Sequence, residues 1–121
     1  MTETYFFGTY ALFELIRGNP KYEKYINSKG ILTIFNLAEL NYNLKKEMTK
    51  KQADDYINKY KDFLVTVTLN DIQEAMDPKT KRRNLSIPDA IGYTIAKRFQ
   101  VKFLTGDSDF IDLSNVEFVQ K

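Results

Sequence analysis

Glu39, Asp89, Asp107 and Asp109 are the side chains in this sequence with the greatest promise for chemistry. The chain contains no His and no Cys. The commonest general base, the usual zinc ligand and any thiolate nucleophile are therefore missing, together with disulfides and Cys-based zinc sites. Hydrolytic chemistry falls to carboxylates, hydroxyls, Lys or Tyr. Each acid also has a local explanation. Glu39 lies off the apolar stripe Leu37, Leu40, Leu44 and could be an ordinary solvated side chain. Asp89 follows Ser86 at capping-box spacing, where an acid also favours the helix dipole. Asp107 and Asp109 sit in a turn, where Asp bonds the local backbone. Taken singly, none of them is a site. They become one only if the fold brings them to a common edge.

The elements that must do so are legible in outline. Thr4 to Phe7 reads as a short buried strand, and Thr9 as the cap of a helix to about Arg17. Pro20 opens a second short helix through Ile26. The β-branched run "ILTIF", 31 to 35, predicts a strand, after which Asn36 caps a helix carrying Leu37, Leu40 and Leu44. Thr49 starts a helix with Ala53, Tyr56, Ile57 and Tyr60. "FLVTVTL", 63 to 69, predicts a strand, and Asn70 caps a helix to about Met76, where Pro78 disturbs continuation. Ser86 opens a helix through Arg98. "VKFLT" is a strand, "GDSDF" a turn, and "VEFVQ" a final short strand.

Strands alternate with helices and are apolar along most of their length. That predicts one α/β domain over 1–121, a mostly parallel sheet of four to five strands with helices on both faces. Sites in open sheets of this kind gather beyond the carboxyl ends of the strands. Gly8 and Thr9 follow the first strand, Asn36 with Glu39 the second, and Asp107 with Asp109 the strand "VKFLT"; Asp89 lies near the start of its helix. Distant segments thus bring acids towards one edge, and the first strand brings a glycine. Gly8 is no phosphate loop, because neither GxGxxG nor the Walker pattern is present. A sharp exit with positive φ, or a close backbone approach, would explain it.

Composition narrows the class. Hydrophobic residues make up 43%, enough for a core. The net charge of +2 does not by itself argue for nucleic acid, so any such contact must come from local clustering. "KTKRRN", 79 to 84, reads as a solvated turn or as a phosphate-contacting edge beside the acids. No apolar run reaches the roughly 18 residues of a membrane span, and no signal-peptide pattern is present. The expectation is a soluble, intracellular protein. Tyr42, Tyr56 and Tyr60 read as core packing, with an interface as the alternative.

Four stretches carry a resemblance: "YFFGTYALFELIRGNP", "NLAELNY", "LSIPDAIGYTIAKRF" and "FLTGDSDF". In this order they resemble the PIN domain, and within it the small VapC-like toxin ribonucleases of toxin–antitoxin pairs. The last two are the more specific together. The resemblance covers nearly the whole chain and implies a PIN-like three-layer sandwich. It also implies a cytoplasmic Mg²⁺- or Mn²⁺-dependent endoribonuclease, a homodimer, and an antitoxin that inserts a segment at the acidic cleft.

By that resemblance the catalytic and metal-binding acids are Glu39, Asp89 and Asp107, with Asp109 as helper or cap. Thr9 and Thr105 would hydrogen-bond waters or carboxylates, and Lys81, Arg82 and Arg83 would contact RNA phosphates. The family keeps an aspartate, followed by Thr or Ser, where this chain has Gly8 and Thr9. An Asp codon becomes a Gly codon by one base change. The departure implies a lost anionic ligand, a space that water fills, and a nuclease weakened roughly a hundredfold if about 3 kcal/mol is lost. The alternative is a catalytically inactive PIN-fold module that binds a protein partner or RNA. A phospho-acceptor signalling domain would need an acid after the first strand, which Gly8 denies.

Overall fold

The computed structural model describes residues 3–121; Met1 and Thr2 of the predicted domain lie outside it. Four parallel strands form the sheet: β1 (Thr4–Phe7), β2 (Lys29–Ile31), β3 (Lys102–Thr105) and β4 (Val116–Phe118). Their spatial order is β2-β1-β3-β4, so β1 and β3 are central. Phe6 pairs with Ile31 on one side and Phe103 on the other. Five helices flank the sheet: α1 (Thr9–Arg17), α2 (Ile34–Leu44), α3 (Lys50–Lys59), α4 (Leu69–Lys81) and α5 (Ile87–Arg98). A 3-10 turn, Pro20–Tyr25, stands where a short helix was predicted.

Alternation along β1 sends neighbouring side chains to opposite faces. Tyr5 meets Tyr25 of the 3-10 turn, ring centroids 5.3 Å apart. Phe6 goes the other way and stacks on Phe103 at 5.3 Å, and Phe103 stacks on Phe110 at 4.6 Å. All three rings of that stack are fully buried. α5 lies over them with a glycine in mid-helix, which costs about 1 kcal/mol relative to Ala. The reason is close approach: a Cβ on Gly92 would come within 2.7 Å of the Phe6 ring and 3.1 Å of Phe103.

Two predicted boundaries shift and one predicted strand is missing. β2 ends at Ile31, and α2 starts at Ile34 under a Thr33 cap, so Asn36 is the third helical residue and not the cap. Residues 63–69 form no strand; a single Leu32–Leu64 bridge is all that joins them to the sheet. With β2 only three residues long, the run finds no ladder to extend. Its polar groups are used otherwise: the Thr68 hydroxyl caps α4, and the Thr66 carbonyl accepts a hydrogen bond from Arg98 at 3.1 Å. α4 also runs through Pro78 to Lys81, beyond the predicted stop near Met76. Tyr42 is 66% exposed, whereas Tyr56 and Tyr60 pack against the core as expected.

Candidate active site

The site forms beyond the carboxyl ends of β1 and β3. Gly8 leaves β1 with φ −64° and ψ 161°, an extended conformation open to any residue. Its N–H donates to the Leu104 carbonyl at 3.2 Å, and its carbonyl accepts from the Leu12 N–H at 3.0 Å. Positive φ is therefore not the reason for glycine here; close approach is. A Cβ at position 8 would lie 2.8 Å from the Phe103 ring and 3.2 Å from the Leu104 carbonyl oxygen. The expected water-filled space does not exist, because Phe103 fills it. That ring is held by Phe6 and Phe110 and cannot swing away cheaply.

Thr9 follows, almost fully buried. Its hydroxyl accepts from the Asn36 side chain at 3.5 Å. Asn36 is wholly buried and completes the α2 capping box: its amide oxygen accepts from the Thr33 hydroxyl at 2.6 Å and from the Thr33 N–H at 3.3 Å. Sequence reasoning took Asn36 for a cap; it ties the start of α2 to the start of α1. One turn on, Glu39 faces the same cleft as Thr9.

Ser86 caps α5 by accepting the Asp89 backbone N–H at 3.1 Å. The cap uses the amide of Asp89 and leaves its carboxylate to face the cleft. At the end of β3 the Thr105 hydroxyl accepts the Asp107 N–H at 3.2 Å, and Asp107 Oδ1 accepts the Asp109 N–H at 3.0 Å. Thr105 is thus a backbone brace for Asp107. Asp109 is the residue capped by Asp107.

Glu39, Asp89 and Asp107 line one cleft of about 520 Å³, with Thr9 and Ser86 between them. Burial, then the negative charges of Glu39 and Asp107, push the Asp89 carboxyl up to about 7; the Ser86 hydroxyl pulls it partly back, and Asp109 adds a further upward push. Three segments remote in sequence therefore place their charges within mutual reach. Among the described residues, no three acids stand close enough to cage a metal ion by themselves.

The far wall of the cleft comes from Tyr10, Phe13, Arg17, Asn43, Lys46 and Glu47, and Asn84 closes the other side. Of these, only Asn84, the end of the run 79 to 84, was singled out from sequence. The signal for the rest was helical spacing: Thr9, Phe13 and Arg17 recur every four residues, and Glu39, Asn43 and Lys46 at four and three. Lys81, Arg82 and Arg83 do not line the cleft. Arg82 is held by Asp112 through two hydrogen bonds of 3.1 and 3.3 Å.

The PIN domain family model matches residues 5–116, nearly the whole chain. The chain belongs to the PIN domain family. Solved PIN-like structures share its fold. A chain of a toxin–antitoxin complex from Klebsiella pneumoniae is 17% identical, aligned over 97% of this chain and 99% of that one, with a TM-score of 0.74. A chain of VapBC2 from Rickettsia felis, bound to a DNA fragment from its promoter, is 16% identical over 97% and 98%, with a TM-score of 0.69. PAE2754 from Pyrobaculum aerophilum is 18% identical over 98% and 92%, with a TM-score of 0.73. The sequence matches no curated protein. No helix among the described residues of this PIN domain is long and apolar enough to cross a membrane.

Proposed function

We propose that this PIN domain is a VapC-like toxin endoribonuclease with a reduced acid set, paired with an antitoxin. The observation that carries the reading is the convergence of Glu39, Asp89 and Asp107 on one cleft at the carboxyl edge of the sheet. Two of the structural neighbours come from toxin–antitoxin assemblies, which supports an antitoxin partner. A homodimer and a cytoplasmic location follow from the VapC likeness.

The donor set suits a hard cation. It is oxygen only, and burial with the charges of Glu39 and Asp107 pushes Asp89 up, a push that a bound cation would offset. The loose spacing of the acids suits an ion that keeps several waters, as Mg²⁺ does with one or two carboxylates. Asp89 and Asp107 would hold Mg²⁺ or Mn²⁺, and Glu39 would hold it or orient the attacking water. When bound, the ion supplies charge neutralisation at the phosphodiester and a more acidic water. The protein's own part is positional. Thr105 braces Asp107, Asn36 fixes Thr9 against α2, and the Ser86 cap fixes the backbone of Asp89.

Phe103 favours one further reading, a binding module that has given up catalysis, since its ring occupies the side-chain space of position 8. The two readings part on one experiment. Gly8→Asp alone should be destabilised by the ring. Gly8→Asp with Phe103→Leu, which removes the outer ring atoms, should fold and cut single-stranded RNA with Mg²⁺ or Mn²⁺ roughly a hundredfold faster than the parent. A folded double variant as inert as the parent on several RNAs would sink the nuclease reading and leave the binding module.

A further inference from the structure

Glu39, Asp89 and Asp107 occupy one end of the cleft. Two helical stripes lead away from them. On α1, Thr9, Phe13 and Arg17 line the cleft in succession; along α2 and just past its end, Glu39, Asn43 and Lys46 do the same. Each stripe starts at the acidic edge and ends in a cation. At 1.5 Å per residue, Arg17 and Lys46 lie about 10–12 Å from that edge. The groove between α1 and α2 therefore runs from a carboxylate cluster to a mixed end, where Arg17 and Lys46 stand with Glu47.

The state of the cations matters. Lys45 and Lys50 are bound by Asp54, and Lys51 by Asp55. Lys46 is in no ion pair among the described residues; its ammonium sits 4.4 Å over the Tyr42 ring, which is itself open to solvent. Arg17 lies 5.0 Å over the Phe13 ring and reaches Glu47 at 3.0 Å and Glu14 at 3.4 Å. The Arg17–Glu47 pair is exposed, hence weak and open to competition from a phosphate. Phe13 with Arg17 stacked over it is a planar surface of the kind on which unpaired bases lie.

We propose that single-stranded RNA lies along this α1–α2 groove, with a flanking phosphate held by Lys46 and Arg17 and a base against the Phe13–Arg17 surface. The basic run 79–84 is then not the main phosphate contact, consistent with Arg82 being held by Asp112. This rests on the ribonuclease reading of the same cleft and names the strand path within it.

The test is fluorescence anisotropy of a short fluorescein-labelled oligouridine on the full chain, in low salt with Mg²⁺. Lys46→Ala should weaken binding about 3–10-fold and lower the salt slope by about one, with Lys46→Arg retaining affinity. Lys46→Ala with Arg17→Gln should lose about 10–30-fold, while the melting temperature shows the pair still folds. Lys81→Ala with Arg83→Ala should stay within about twofold, and annealing the complementary strand should reduce binding. Three results would overturn the proposal: no oligouridine binding at low salt, a larger loss from the 81/83 pair than from Lys46, or equal binding of duplex. If Gly8→Asp/Phe103→Leu cuts RNA but Lys46→Ala changes neither affinity nor KM, the groove is wrong and the nuclease stands. If the groove binds and no folded variant cuts, the groove stands and the nuclease reading falls.

Discussion

Asp71 and Asp89 hold the same local position in two neighbouring helices. Each is the third residue of its helix, and each donates its backbone N–H to a capping hydroxyl, from Thr68 at 3.1 Å and from Ser86 at 3.1 Å. Their electrostatics run opposite ways. Burial pushes the Asp71 carboxyl up, but hydrogen bonds from the Thr68 N–H, the Thr68 hydroxyl and Arg98 outweigh it and hold the group below its ordinary value. Arg98 closes on both oxygens, at 2.9 and 3.0 Å, from the far end of α5. Asp89 is in no ion pair among the described residues and faces other acids, and its carboxyl rises to about 7. One acid locks α4 to α5; the other is left in tension at a cleft. Cap spacing alone cannot tell them apart, because the partner that decides lies on another element.

The sharpest way to break this comparison is Asp89→Asn in the Gly8→Asp/Phe103→Leu background. RNA cleavage should fall about a hundredfold to a thousandfold, the scale of one lost transition-state charge contact. The melting temperature in chelator should hold or rise, because a repelling charge has gone. A large drop in stability would mean that Asp89 is a structural acid like Asp71.

Arg98→Met is the reciprocal test. It strands the buried Asp71 carboxylate, and after discounting for the half-exposed guanidinium about 2 kcal/mol should be lost. Thermal denaturation should show a fall of about 10 °C with cleft function intact. An unchanged melting temperature would remove the contrast.

The pH dependence should separate the pair more finely. Asp71 is depressed in the folded state, so its contribution is present above the ordinary carboxylate value near 3.9 and lost as pH falls through its lower folded value. Asp89 is raised, so its contribution is full below about 3.9 and lost as pH rises through about 7. In chelator, Asp89→Asn should therefore gain stability relative to the parent between about pH 4 and 7. Parallel melting curves of the two proteins across that window would count against the raised value. The smallest effect belongs to the caps: Thr68→Ala and Ser86→Ala should each cost about 1 kcal/mol by urea denaturation, alike despite the opposite fates of the acids they serve.

Much of this was legible beforehand because it is local. The alternation of apolar strands and helices predicted the α/β sheet, and "SIPDA" and "TGDSD" placed Asp89 and Asp107 just after element starts and ends. What was hidden is tertiary. "FLVTVTL" has strand composition but meets a β2 too short to pair with. Asn36 looks like a cap until Thr33 is seen to take that role. Arg17 and Lys46 look like solvated helix ends until α1 and α2 are laid side by side. Gly8 stood out, but the ring that fills its place is ninety-five residues away in the chain and belongs to the neighbouring strand.

The slot between Gly8 and Gly92 that houses Phe103 bears on which substitutions the core accepts. A carboxylate placed at position 8 meets an aromatic ring already wedged into the core. Any larger side chain there calls for a smaller partner at position 103, so packing couples two positions ninety-five residues apart, whatever the cleft requires.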